Sequence, residues 1–122
     1  MLRTLALSSL IVVGLAGAAL AQSANVVGTY TYTGTDTDGS AYKEAGTVVV
    51  TNEKSGALSV KWDGGDYVGV GQMTGSILAV AAVADGKNTI MLMNVNPDGT
   101  LSGPWWRRTD PGNKGTEVWK KK

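Results

Sequence analysis

Histidine, cysteine and phenylalanine are absent from the 122-residue chain, and proline occurs only three times. Without histidine, no side chain has an ordinary pKa near neutrality, and without cysteine there is neither a thiol nucleophile nor a disulfide. These absences exclude His-based acid–base chemistry, thiol catalysis and nearly all zinc sites. They also exclude a lipid anchor carried on an N-terminal cysteine. Small secreted domains often lean on disulfides, so this one must rely on its core and its hydrogen-bond ladder. The remaining carboxylates are dispersed along the chain. We therefore expect a binding protein and not an enzyme, with no cofactor and no bound metal.

Charge is scarce as well, with eleven basic against ten acidic residues. The chain opens "MLRTLALSSLIVVGLAGAALAQSA": one positive charge at Arg3, an apolar run from Leu5 to Leu20, then Ala19-Leu20-Ala21. That tripartite layout is a secretory signal peptide, with cleavage expected after Ala21. The expected organisation is a signal peptide over 1–21 and a single domain over 22–122, exported to the periplasm or secreted. Removing Arg3 leaves ten basic against ten acidic residues, which gives no electrostatic footprint for nucleic acid or an anionic membrane. The tail Lys120-Lys121-Lys122 reads as a solvated end.

What the chain does have is glycine and short β-forming runs. After Ala24, stretches rich in Val, Thr, Tyr and Trp alternate with Gly, Asp and Asn clusters, and no helical apolar repeat is present. Turns are expected at Asp38-Gly39, Asn52 to Gly56, Asp63-Gly64-Gly65, Thr74-Gly75, Asp85-Gly86, Asp98-Gly99 and Pro111-Gly112-Asn113. They separate eight strands at about 27–35, 41–51, 57–62, 66–73, 76–84, 89–95, 100–108 and 115–121. Every connection is short enough for antiparallel neighbours. The expected fold is an all-β, eight-stranded, antiparallel up-and-down meander closed into a small barrel, because closure removes exposed edges. A strongly curled open sheet is the alternative.

Period-two alternation assigns faces. Leu58, Val60 and Trp62 point inward, as do Val48 and Val50 with Tyr42, and Leu101 with Trp105. The segments "SILAVAAVA" and "TIMLMNV" are apolar on both faces, which fits either scattered surface aliphatics or a homodimer interface through strands 76–84 and 89–95. The pattern leaves open whether Ile90 and Leu92 or Met91 and Met93 face outward.

Aspartates 36, 38, 63, 66, 85, 98 and 110 sit in or beside turns, where they cap the backbone. "TDTDGSAYKE" lacks the third ligand and the distal Glu of a calcium loop, and Gly69-Val70-Gly71 lies inside a strand with no helix after it, so neither marks a metal or nucleotide site. The aromatic residues are better candidates. Trp105 and Trp106 must face opposite ways, Trp105 into the core and Trp106 outward, where an arginine can stack on it or a partner can bind it together with Arg108. Arg107 shares the inward phase near the strand end, and Glu117 across the last hairpin is its expected partner. Tyr32, Val50, Val60 and Trp105 are the expected lining of any interior cavity.

The segments "VGTYTYTGTDTDGSAYKEAGTVVV", "LSVKWDGGDYVGVGQMTGSILAVA", "NPDGTLSGPWW" and "GTEVW" resemble a group of small exported bacterial proteins often labelled fibronectin-binding or left uncharacterised. The resemblance implies a compact β-barrel that acts by binding a protein or a surface, and it supplies no catalytic positions. Gly28-Thr29-Tyr30 is also similar to the G-x-W opening of lipocalin and avidin-type barrels, with Tyr for Trp. In those barrels the aromatic plugs one end and an arginine from a late strand packs over it. This second likeness implies that Tyr30 and Arg107 cap a barrel end, where the Arg107–Glu117 pair is expected as well; a carrier of a small apolar ligand within the barrel is the alternative function.

Overall fold

The structure, a computed structural model, describes residues 24–122, so the expected signal peptide and its cleavage site lie outside the described residues. Eight strands follow one another: β1 (Gly28–Thr35), β2 (Gly46–Asn52), β3 (Leu58–Trp62), β4 (Tyr67–Thr74), β5 (Ile77–Ala84), β6 (Lys87–Val95), β7 (Leu101–Arg107) and β8 (Asp110–Lys121). Each pairs antiparallel with its sequence neighbour, and β1 pairs with β8 to close the barrel. The expected meander is therefore a closed barrel, and the open-sheet alternative falls away.

The Asp-Gly steps act as expected. At Asp85-Gly86 both residues take positive φ, 53° and 71°, the backbone of a type I′ hairpin that matches the twist of its strands. Asp38 accepts from the Ser40 N–H and Asp98 from the Thr100 N–H, so each carboxylate closes its own turn.

Two expected boundaries move. The strand expected from residue 41 begins at Gly46, and after a single bridge between Thr35 and Ala41 the chain forms a loop across the barrel end. Tyr42 therefore reaches the interior from a loop and not from a strand. Lys43 and Glu44 are polar and exposed, so the segment has no alternation to hold it in a ladder. The last hairpin turns at Arg108-Thr109, and Pro111-Gly112-Asn113 forms an irregularity inside β8, where the register shifts after Trp106. Proline has no N–H to give the ladder, which places it at such a break.

Connections β1–β2, β3–β4, β5–β6 and β7–β8 lie at one end, here called the mouth; the start of β1 and the end of β8 lie at the other, closed end. The closed half is packed solid by Val48, Val50, Val60, Leu78, Met93 and Leu101, none more than about 1% exposed. Val26 and Tyr30 plug it, the Tyr30 hydroxyl donating to the Val26 carbonyl at 2.7 Å. Large inward residues sit opposite glycines across the ladder: Tyr32 faces Gly46, Trp105 faces Gly115, and Glu117 lies between Gly34 and Gly103. A Cβ on Gly46 would enter the Tyr32 ring, and one on Gly115 would enter the Trp105 indole. Glycine thus makes the space that aromatic groups fill in a narrow barrel.

Gly103 tests this fit. A Cβ there would collide with the Leu92 carbonyl, which is backbone and has nowhere to go, whereas a Cβ at Gly112 meets nothing. In urea denaturation, Gly103→Ala should lose about 3 kcal/mol, the upper range for overpacking, while Gly112→Ala should stay within about 0.5 kcal/mol of wild type.

Candidate ligand-binding site

The sequence "GTEVW" alternates Gly115 in, Thr116 out, Glu117 in, Val118 out and Trp119 in, so the pitch of β8 carries a carboxylate into the interior. Glu117 is only 7% exposed. A buried carboxylate must find donors, and three converge on it. Oε1 accepts from Trp62 Nε1 at 3.1 Å and from Trp119 Nε1 at 2.9 Å. Oε2 accepts from the Tyr42 hydroxyl at 2.9 Å. Burial holds the Glu117 carboxyl above its ordinary range, and the three donors offset part of that rise. The Tyr42 hydroxyl is pushed up by its own burial and then by the neighbouring carboxylate.

Above this cluster, toward the mouth, the barrel is open. A cavity of about 400 Å³ runs from Glu117, Trp62 and Met91 to the rim, within the roughly 300–1,000 Å³ typical of small-molecule sites. Tyr32, Tyr42, Tyr67 and Trp105 form its aromatic wall. Tyr32 and Tyr42 meet edge to face at 6.1 Å, and the Tyr32 hydroxyl donates to Asp63 Oδ2 at 2.5 Å. Burial, then the bond to Asp63, raises the Tyr32 hydroxyl pKa. Asp63 Oδ1 also accepts from the Thr47 N–H, tying the β3–β4 connection to β2.

Arg107 is held at the rim. Its Nη1 lies 3.4 Å from Asp36 Oδ1 and 3.2 Å from Thr37 Oγ1, and its guanidinium stacks on the Trp105 ring at 5.1 Å. Trp105 Nε1 and Arg107 Nε are buried without a hydrogen-bond partner.

Several expected sites change on this geometry. Arg107 pairs with Asp36, and Glu117 is held by Trp62, Trp119 and Tyr42, so the expected Arg107–Glu117 pair is corrected. Tyr30 and Arg107 lie at opposite ends and form no common cap; Lys121 takes the place over the Tyr30 ring, at 5.8 Å. The reason is register: Tyr30 pairs with Lys121, while Arg107 pairs with Thr89 and Asp110 near the mouth. Of the four residues expected to line a cavity, Tyr32 and Trp105 do so, whereas Val50 and Val60 are sealed in the packed half. Sequence reasoning missed Trp62, Tyr67 and Met91 as lining, although the inward phase of Trp62 and the Met91 option were both visible.

Trp105 and Trp106 face opposite ways. Trp105 is 7% exposed, and half-buried Trp106 lines a surface hollow with Ile90, Arg108 and Pro111. Met91 and Met93 point inward, leaving Ile90 and Leu92 on the surface. Register aligns Val70, Ala81, Ile90 and Trp106 as a row across β4 to β7. No outward-facing position on these four strands is charged.

No protein-family model matches the chain, and no curated protein matches it.

The raised Glu117 pKa has a signed consequence. Between the ordinary and the raised value the folded state keeps a proton that the unfolded chain has released, so stability is highest on the acid side and declines as pH rises through that window. Asp38 and Asp98 are shifted the other way, by bonds to Ser40 and Thr100, and act below the ordinary value of 3.8. The urea midpoint of the wild type should fall as pH rises from about 4.5 toward neutrality. Glu117→Gln, whose amide oxygen can accept both indole N–H groups, should flatten that slope.

Proposed function

We propose that the chain is an exported binding protein without catalytic activity, and that it holds a small, largely apolar ligand in the cavity at the mouth. The observation that carries this reading is the division of the barrel into a solid half and an open half. Side chains fill a narrow barrel completely when its only task is to be stable. Here the packed residues stop at the level of Trp62 and Glu117, and above them Tyr32, Tyr42, Tyr67 and Trp105 line a space of about 400 Å³ instead of filling it. The absence of histidine and cysteine, and the use of Asp38 and Asp98 to close their own turns, support a binding role over a catalytic one.

A second reading rests on the outer face. The row Val70, Ala81, Ile90 and Trp106 is uncharged, with Val70 61% and Ile90 52% exposed, and an uncharged apolar face is complementary to itself. A second copy packed on a two-fold axis is the partner it fits, and this deepens the homodimer expectation for strands 76–84 and 89–95. Ile90→Lys should leave the fold intact and convert a dimer to a monomer in light scattering; a wild-type monomer at high micromolar concentration would sink this reading.

For the cavity, the neutral fluorescent probe N-phenyl-1-naphthylamine should bind saturably at one per chain and quench tryptophan emission, because Trp62 and Trp105 form part of the wall. Ala82 lines the cavity from β5 without belonging to the packed half. Ala82→Phe should weaken probe binding roughly tenfold, about 1.4 kcal/mol. Probe binding that ignores Ala82→Phe would place the probe elsewhere and count against the cavity.

A further inference from the structure

The cavity has a polarity that the apolar-carrier reading leaves unused. Glu117 is more than nine-tenths buried and opens onto the cavity floor, yet all three of its donors are neutral. Among the described residues no Lys or Arg nitrogen lies within ion-pair distance of it; the single ion pair found joins Arg107 to Asp36. An ionised carboxylate has about four acceptor positions. Oε1 uses two and Oε2 one, so Oε2 keeps a free position.

The walls suit a positive charge. Tyr32, Tyr42, Trp62, Tyr67 and Trp105 surround the space, and π faces attract cations most strongly where water is excluded. The lining carries four carboxylates, Asp36, Glu44, Asp85 and Glu117, against two cations, Lys43 and Arg107. Arg107 is already engaged by Asp36 and by the Trp105 ring. An anionic ligand would bring its charge toward a buried carboxylate, which is unfavourable in a site of low dielectric. A neutral apolar ligand offers the ionised form of Glu117 no counter-charge, whereas a bound ammonium would favour that form against its burial.

We propose that the cavity selects an organic ammonium ion, a small amine or quaternary ammonium whose cationic head lodges at Glu117 among the aromatic rings while its apolar body extends toward the mouth. This rests on the carrier reading and names its ligand class.

Three ligands of nearly equal shape separate the possibilities: 2-phenylethylammonium, 2-phenylethanol and phenylacetate, titrated at pH 7 and followed by tryptophan quenching and calorimetry. The ammonium should bind at least tenfold more tightly than the alcohol, and phenylacetate should bind more weakly than either. Glu117→Gln should reduce the ammonium to the affinity of the alcohol. If that variant does not fold, the wild-type comparison alone decides. Equal binding of ammonium and alcohol, or tighter binding of phenylacetate, overturns the cation assignment and leaves the carrier reading standing. The same holds if the naphthylamine probe binds and the ammonium does not. Failure of all three together with the probe overturns both.

Discussion

A carboxylate inside a narrow barrel can stay only where donors meet it, and the donors that meet Glu117 fix three of the largest side chains in the molecule. Trp119 is turned back along its own strand, Trp62 comes from β3 across the interior, and Tyr42 comes down from the β1–β2 loop. The two indoles lie edge to face at 6.0 Å, and Trp119 in turn lies 5.7 Å from Tyr30. A continuous aromatic column thus runs from the plug of the closed end to the carboxylate. That column marks where packing stops and open space begins. The loop from Asp36 to Ala45 is also pinned by it, because Tyr42 is its inward anchor.

Space around the carboxylate comes from residues that contribute no side chain. Gly34 and Gly103 flank Glu117 on the neighbouring strands, and a Cβ on either would strike backbone, Thr116 O in one case and Leu92 O in the other. At both positions neighbouring backbone stands where a Cβ would be. The glycines at turns have a separate task, the positive φ of hairpin loops. The abundance of glycine thus combines two unrelated demands, one of conformation and one of volume, and only the first announces itself by its neighbours in sequence.

That distinction explains what could be read in advance. Asp-Gly and Thr-Gly pairs mark loops through local backbone chemistry, and alternation marks faces through the strand repeat, so the strand count, the meander and the inward Val60, Trp62, Leu101 and Trp105 were accessible. Tyr42 defeated the same reasoning because a loop residue has no repeat to follow. Arg107 and Glu117 share an inward phase on adjacent strands, but Trp105, the Gly115 facing it and the bulge at Pro111 to Asn113 lie between the pattern and the true neighbours. Pairing Tyr30 with Arg107 required knowing which end of the barrel each occupies, and that depends on the stagger of all eight strands. The outward face of β4 to β7 was legible as doubly apolar, and register then showed its apolar residues to be contiguous.

The pairing of β1 with β8 joins the first strand to the last, whereas every other pairing joins sequence neighbours. Hairpins can form locally and early, but this closure must wait for nearly the whole chain and bears the largest loop entropy. Glu117 lies on β8, so the acceptor awaited by Trp62 and Tyr42 is delivered by the same event that seals the sheet. Until then β1 and β8 are open edges and the aromatic donors have no common target. Closure of the sheet and completion of the polar floor are one step in time, and a partly assembled barrel has no finished cavity to offer a ligand.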